Sequence, residues 1–260
     1  MTVIHYAMNS RLLYDINTDD ACTAEACTEI FNTGTDSDDR QIYRGARNTL
    51  YDVAIKNGRH LCVKHFRKAK FPNSYIYTTF RHSKARRSYE HAGQLLSLGF
   101  LTPQPIAWSE RRKGIKLLDS YYICEYLDLP NIRDWGKMPD ADRLIDALGQ
   151  YMVSLHRAGV YHRDFSPGNI LVERLDDGGY RFYLVDINRM NFGVTDRRKL
   201  MSMFRSISLD ADDTTRLARA YAKASGDSPE TIIAEAIDSL HAYQATKRRH
   251  RRWKRLIGKK

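Results

Sequence analysis

Apolar and polar positions change period several times along the chain, and each change marks an element. Thr49 to Ile55 alternates as a half-buried strand does, Asn57-Gly58 is a two-residue hairpin turn, and Leu61 to Phe66 reads as the return strand. From Ser83 to Leu98 the period becomes helical, with apolar or small residues at 85, 89, 92, 95, 96 and 98. Tyr121 to Leu127 returns to strand, and Leu148 to Val160 is helical again. Ile170-Leu171-Val172 and Arg181 to Val185 are short strands joined by a turn at Asp177-Gly178-Gly179. Ser228-Pro229-Glu230 is a helix start, with Ser as cap and Pro in the first turn. Ile232, Ile233, Ala236, Ile237, Leu240 and Tyr243 follow it at helical spacing, and the pattern runs on toward the C-terminal end. A helix is also expected over Asp20 to Phe31, followed by an acidic loop, Asp36-Ser37-Asp38-Asp39, read as solvated and not as a metal site.

The chemistry concentrates on the short hairpin. Residues 162–169 read His-Arg-Asp-Phe-Ser-Pro-Gly-Asn, and Asp186 ends the second strand. Phosphoryl transfer needs this spacing. Asp164 meets the proton of an attacking hydroxyl, the amide oxygen of Asn169 holds a metal ion beside the phosphates, and Asp186 supplies a carboxylate to the same ion. Most of that catalysis is positioning and charge neutralisation, so a few residues in fixed places suffice. His162 and Arg163 are expected to order the loop, and Ser166 to cap a turn before Pro167. Asn188 and Arg189 stand where they could meet an acceptor's charged groups.

Further parts lie upstream in the matching order. Lys64 sits mid-strand among apolar neighbours, where a phosphate-binding lysine is needed, and Glu90 on the following helix is expected to pair with it. The turn Arg44-Gly45-Ala46-Arg47-Asn48 could cover phosphates through backbone N–H groups, with Gly45 and Asn48 as candidates, although one glycine matches a Gly-rich loop poorly. Backbone groups from Glu125 to Leu127 would meet adenine.

These motifs and their order resemble the protein-kinase-like superfamily. Within it the chain is most similar to the bacterial lipopolysaccharide core kinases of the Kdo/heptose type, Kdo being 3-deoxy-D-manno-octulosonic acid. The carriers are residues 44–48, Ser83-Lys84-Ala85-Arg86-Arg87-Ser88-Tyr89-Glu90, Gly99-Phe100-Leu101-Thr102-Pro103-Gln104-Pro105-Ile106 and the loop His162 to Asn169. The resemblance covers residues 40–195 well and the ends poorly. It implies an α+β, two-lobed protein-kinase-like fold, with a small antiparallel-sheet N-lobe carrying one main helix and a mostly helical C-lobe. The expected boundaries are an extension over 1–39, the N-lobe and hinge over 40–127, the C-lobe over 128–246 and a basic tail over 247–260. It also implies ATP and Mg²⁺ as cofactors and a lipid A-core glycolipid as acceptor, with Kdo preferred to heptose. Asp186 is followed by Ile187-Asn188 and not Phe-Gly, and no Ala-Pro-Glu follows, which argues against a protein substrate. Arg163 in place of glycine argues against an antibiotic or choline phosphotransferase, and a catalytically dead binding module would not need Lys64, Asp164, Asn169 and Asp186 together.

Composition narrows the setting. At 260 residues one two-lobed catalytic domain is the natural size. Four cysteines, Cys22, Cys27, Cys62 and Cys124, show no metal spacing, and Cys62 and Cys124 are expected as buried thiols. No secretory leader or membrane-spanning run is legible, and reduced thiols with ATP use point to the cytoplasm. Nine of the net eleven positive charges fall between Lys247 and Lys260, which leaves the body near neutral. Trp253, Leu256 and Ile257 lie among them, a composition suited to an anionic inner-membrane surface more than to nucleic acid.

Overall fold

The computed structural model describes residues 2–7, 10–35, 39–45, 48–67, 82–137, 140–207 and 211–256. The chain divides into two compact units, Met1–Asp128 and Leu129–Lys260.

The first unit is built on a seven-stranded antiparallel sheet in the order β1-β2-β6-β7-β5-β4-β3. Its strands are β1 (Thr2–Ala7), β2 (Ser10–Ile16), β3 (Arg40–Arg44), β4 (Asn48–Ala54), β5 (His60–Phe66), β6 (Pro105–Lys113) and β7 (Lys116–Glu125). A helix lies against each face. On one side α1 (Ala21–Thr33) turns Cys27, Ile30 and Phe31 onto Val53, Leu61, Val63, Ile106, Tyr121 and Ile123. On the other side α2 (Lys84–Ser97) joins a cluster of Phe66, Ala85, Trp108, Tyr122 and Cys124. The two-residue period of strands explains the division, since odd positions of β7 feed one core and even positions the other. Ser83 caps α2 by accepting from the Arg86 N–H at 3.1 Å, a contact of about 1 kcal/mol. Its own N–H donates to the fully buried Glu110 on β6 at 3.2 Å, which ties the helix start to the sheet.

The N-terminal residues build onto this unit: β2 pairs with β6 and α1 fills one core, which extends the sheet with strands the alternation pattern did not reveal. The unit thus carries α1 as well as α2. Within the acidic loop only Asp39 lies inside the described residues.

The second unit is mostly helical. A 3-10 segment (Ile132–Lys137) precedes α3 (Ala141–Arg157). The hairpin β9 (Ile170–Arg174) and β10 (Tyr180–Leu184) follows the two-residue strand β8 (Tyr161–His162), and β11 (Met190–Asn191) pairs back onto β8. The helices α4 (Arg197–Met201), α5 (Phe204–Ile207), α6 (Ala211–Ser225) and α7 (Pro229–Leu256) complete it. The core stripe of α3, Leu144, Leu148, Met152 and Leu155, is the sequence period made physical. Gly149 lets α6 approach closely, since a Cβ there would stand 2.7 Å from the Ala220 backbone. Among the described residues no helix is long and apolar enough to cross a membrane.

Candidate active site

In the second unit the loop after β8 is folded on itself by backbone and side-chain bonds. Ser166 N–H and the Asn169 side-chain amide both donate to the Asp164 carbonyl, at 2.8 and 2.9 Å, and Asn169 N–H donates to Ser166 O at 2.8 Å. A carbonyl can only accept, so the Asn169 amide nitrogen must face it. The amide oxygen is thereby turned outward, free of protein partners among the described residues. Val185 N–H donates to Asn169 O at 3.0 Å, which places Asp186 one residue beyond a bond to Asn169.

His162 braces this arrangement and is 1% exposed. Its Nδ1 accepts from the Asp164 N–H and its Nε2–H donates to Val185 O, both at 3.1 Å. A backbone N–H cannot accept and a carbonyl cannot donate, so the ring is held neutral with its proton on Nε2. Burial lowers its pKa, partly offset by the Val185 carbonyl and the charges of Asp186 and Asp164. One imidazole thus joins the catalytic loop to the strand end that carries the second carboxylate.

Asp186 is the one non-glycine residue with positive φ among the described residues, at φ 56° and ψ 40°. Asp tolerates this left-handed region better than branched residues, at a cost on the order of 1–3 kcal/mol that the surroundings must hold. Asn188 contributes by donating from its side-chain nitrogen to Asp186 Oδ1 at 2.9 Å. The Asn188 side-chain oxygen is buried without a partner, so polar capacity is left over beside the carboxylate. Asp164 is exposed, with its carboxylate open to solvent, and its charge acts on His162. The donor set of one amide oxygen and one carboxylate is all oxygen and hard, which fits Mg²⁺ completing its shell from phosphates and water.

In the first unit Lys64 is buried on β5, between Leu50 of β4 and Tyr122 of β7 in register. Strand parity sends it to the face covered by α2, and its ammonium lies 5.4 Å from the Phe66 ring centre. Glu90 does not join it. Its oxygens accept from Arg86 Nε and meet His82 Nδ1, both at 2.8 Å, and Arg86 in turn lies over Trp108. The reason is helical phase. The stripe Ala85, Ser88, Ala92 and Leu95 packs inward, and at 100° per residue Glu90 lies on roughly the opposite side. That phase was readable in the sequence had the small residue Ser88 been counted with the core.

Gly45 N–H donates to Asn48 O at 2.9 Å, closing the turn from β3 to β4. A Cβ on Gly45 would stand 2.9 Å from the ring tip of the exposed Tyr43, which would have to swing aside. Ala46 and Arg47 lie outside the described residues. At the end of β7, Glu125 N–H donates to Gln104 O at 3.0 Å and Tyr126 N–H to His60 O at 3.3 Å.

A profile of the Lipopolysaccharide kinase (Kdo/WaaP) family matches residues 34–221. The chain belongs to this family. Two curated relatives carry the name 3-deoxy-D-manno-octulosonic acid kinase. That of Vibrio parahaemolyticus is 22% identical over 154 residues, and that of Pasteurella multocida 24% over 147; each match covers 55% of this chain and 60% of the relative. The chain therefore spans about three fifths of the length of these curated relatives. The solved structure of WaaP in complex with acyl carrier protein superposes with a TM-score of 0.55 at 19% identity, covering 81% of this chain and 88% of that one. That likeness establishes the two-lobed kinase-like fold, α+β, that the Kdo/WaaP motifs imply.

Proposed function

We propose that this Kdo/WaaP-family protein transfers the γ-phosphoryl group of ATP to a sugar hydroxyl of the lipopolysaccharide inner core, with Kdo as acceptor. The observation that carries the reading is the closed catalytic loop. Asp164 is exposed, Asn169 donates its amide nitrogen to the Asp164 carbonyl so that its amide oxygen faces away from it, and His162 ties the loop to the strand end before Asp186. The names of the two curated relatives favour Kdo over heptose.

The division of labour follows from the chemistry. Asp164 orients the acceptor hydroxyl and takes its proton late, because a loose transition state needs little early base assistance. Asn169 and Asp186 would hold Mg²⁺, which would supply positive charge against the charge that develops on the phosphates. Lys64 supplies positive charge to the α/β phosphates, with Gly45 and Asn48 shaping the turn over them. The Glu125 carbonyl and Leu127 N–H serve the adenine edge. Nothing in this scheme draws on Glu90.

The acceptor is lipid-linked in this reading, and α7 supports it. The helix continues to Leu256, with Trp253 exposed and Arg248 and Arg249 on its surface. Such a helix end suits the inner face of a cytoplasmic membrane, where each basic residue contributes on the order of 1 kcal/mol. Ile257 and the residues after it lie outside the described structure.

The test incubates purified protein with Mg²⁺, ATP and Kdo-bearing lipid A and looks by mass spectrometry for one added phosphate. Gain of one phosphate by the native protein, absent with Asp186→Ala, establishes the reaction. Absence of gain with the native protein, while it binds nucleotide, would refute the acceptor assignment.

A further inference from the structure

The catalytic loop carries a cation that the scheme above does not use. A Cβ added at Gly168 would stand 2.6 Å from a guanidinium nitrogen of Arg133, so Arg133 lies directly on the loop, one residue from Asn169 and four from Asp164. Its backbone is fixed. Arg133 N–H donates to the Asn131 side-chain oxygen at 3.0 Å, Asn131 bridges Leu171 of β9, Val172 N–H donates to Pro130 O at 2.9 Å, and Ile132 is fully buried. The segment is thus bonded to the strand that leaves the catalytic loop.

Charge makes this placement informative. Arg133 is an exposed guanidinium with five donors. Arg163 beside Asp164 and Arg189 beyond Asp186 are likewise exposed. Some arginines elsewhere in this unit are held by acids: Arg174 by Asp140, Arg181 by Glu173, Arg197 by Asp227 and Glu235, and Arg216 by Asp142. Three exposed arginines, Arg133, Arg163 and Arg189, therefore lie on or beside the loop where the acceptor hydroxyl must arrive.

We propose that Arg133 binds an oxyanion of the acceptor, a sugar carboxylate or a lipid phosphate, and so selects anionic acceptors and sets the hydroxyl against Asp164. The proposal rests on the inner-core reading above. A planar guanidinium pairs with a carboxylate or phosphate through two parallel bonds, which fixes orientation as well as affinity. Gly168 belongs to the same device, since a side chain there would displace the guanidinium from the loop.

The test compares native protein, Arg133→Gln and Arg133→Lys on three acceptors: Kdo-bearing lipid A, its Kdo methyl ester, and the same glycolipid lacking the lipid A phosphates. Calorimetry with free Kdo and with inorganic phosphate runs in parallel. Native kcat/KM should fall about 10- to 100-fold on whichever acceptor lacks the recognised anion. Arg133→Gln should lose that discrimination, chiefly through KM, with Mg·ATP affinity unchanged and partial recovery in Arg133→Lys. A variant that discriminates as the native protein does, or loses rate equally on all three acceptors, overturns the proposal while leaving the inner-core reading standing. Arg133-dependent binding of the free anion without phosphoryl transfer would refute the inner-core reading and keep the anion site. Neither binding nor transfer would refute both.

Discussion

Replacing His162 with phenylalanine isolates what the buried imidazole contributes. The ring occupies a site that is 1% exposed, so phenylalanine fills a similar space without reaching solvent. Two backbone groups lose their partner, the Asp164 N–H and the Val185 carbonyl, each held at 3.1 Å. A buried polar group left unpaired costs about 1–3 kcal/mol, so the pair sets an expected loss of about 2–6 kcal/mol. Urea denaturation at pH 7.5 reads that loss directly. The pH dependence supplies a second signature. Burial lowers the folded-state pKa of His162, so its contribution is present above the unfolded value near 6.5 and is lost as pH falls through the lower folded value. His156 acts in the same direction: burial, with a smaller effect of Arg197, takes it to about 4. The span from 6.5 to about 4 corresponds to roughly 3 kcal/mol lost on acidification. The native protein should therefore lose stability progressively below pH 6.5, and His162→Phe should do so less steeply because one of the two rings is gone. A variant within 0.5 kcal/mol of native at pH 7.5 (about the scatter of neutral surface changes), with an unchanged acid slope, would refute the bracing role.

Three further outcomes are expected. Asp164→Asn should lower kcat by about 10²- to 10⁴-fold with Mg·ATP affinity retained in a direct binding assay, since the exposed carboxylate is not one of the groups assigned to nucleotide or metal. Asp186→Asn keeps a residue that tolerates φ 56° and should leave the urea midpoint nearly unchanged while abolishing Mg²⁺-dependent turnover; retained turnover would remove Asp186 from the metal site. Gly149→Ala should destabilise the protein by about 1–3 kcal/mol in urea, because the new Cβ meets the Ala220 backbone at 2.7 Å and backbone cannot swing aside as a side-chain tip can.

Local rules fixed much of this protein before any packing was known. Residue-scale period located the strands around Lys64, the helix from Ser83 and the β9–β10 hairpin, and the His-Arg-Asp-x4-Asn spacing with Asp186 marked the catalytic loop, because phosphoryl transfer constrains residues close in sequence. Tertiary structure decided what depends on partners far away in the chain. Nothing local in residues 2–16 says that they complete a sheet; that choice belongs to β6, nearly a hundred residues on. The phase of α2 against the sheet turned Glu90 to Arg86 and His82, since burial of Ala85, Ser88, Ala92 and Leu95 outweighs one exposed ion pair. The neutral state of His162 depends on two backbone groups, one of them twenty-three residues away. Arg133 reaches the catalytic loop only because a bridge to Leu171 brings two distant segments together. Sequence spacing specifies chemistry within one loop, whereas the surroundings that orient and charge that loop are assembled by long-range pairing.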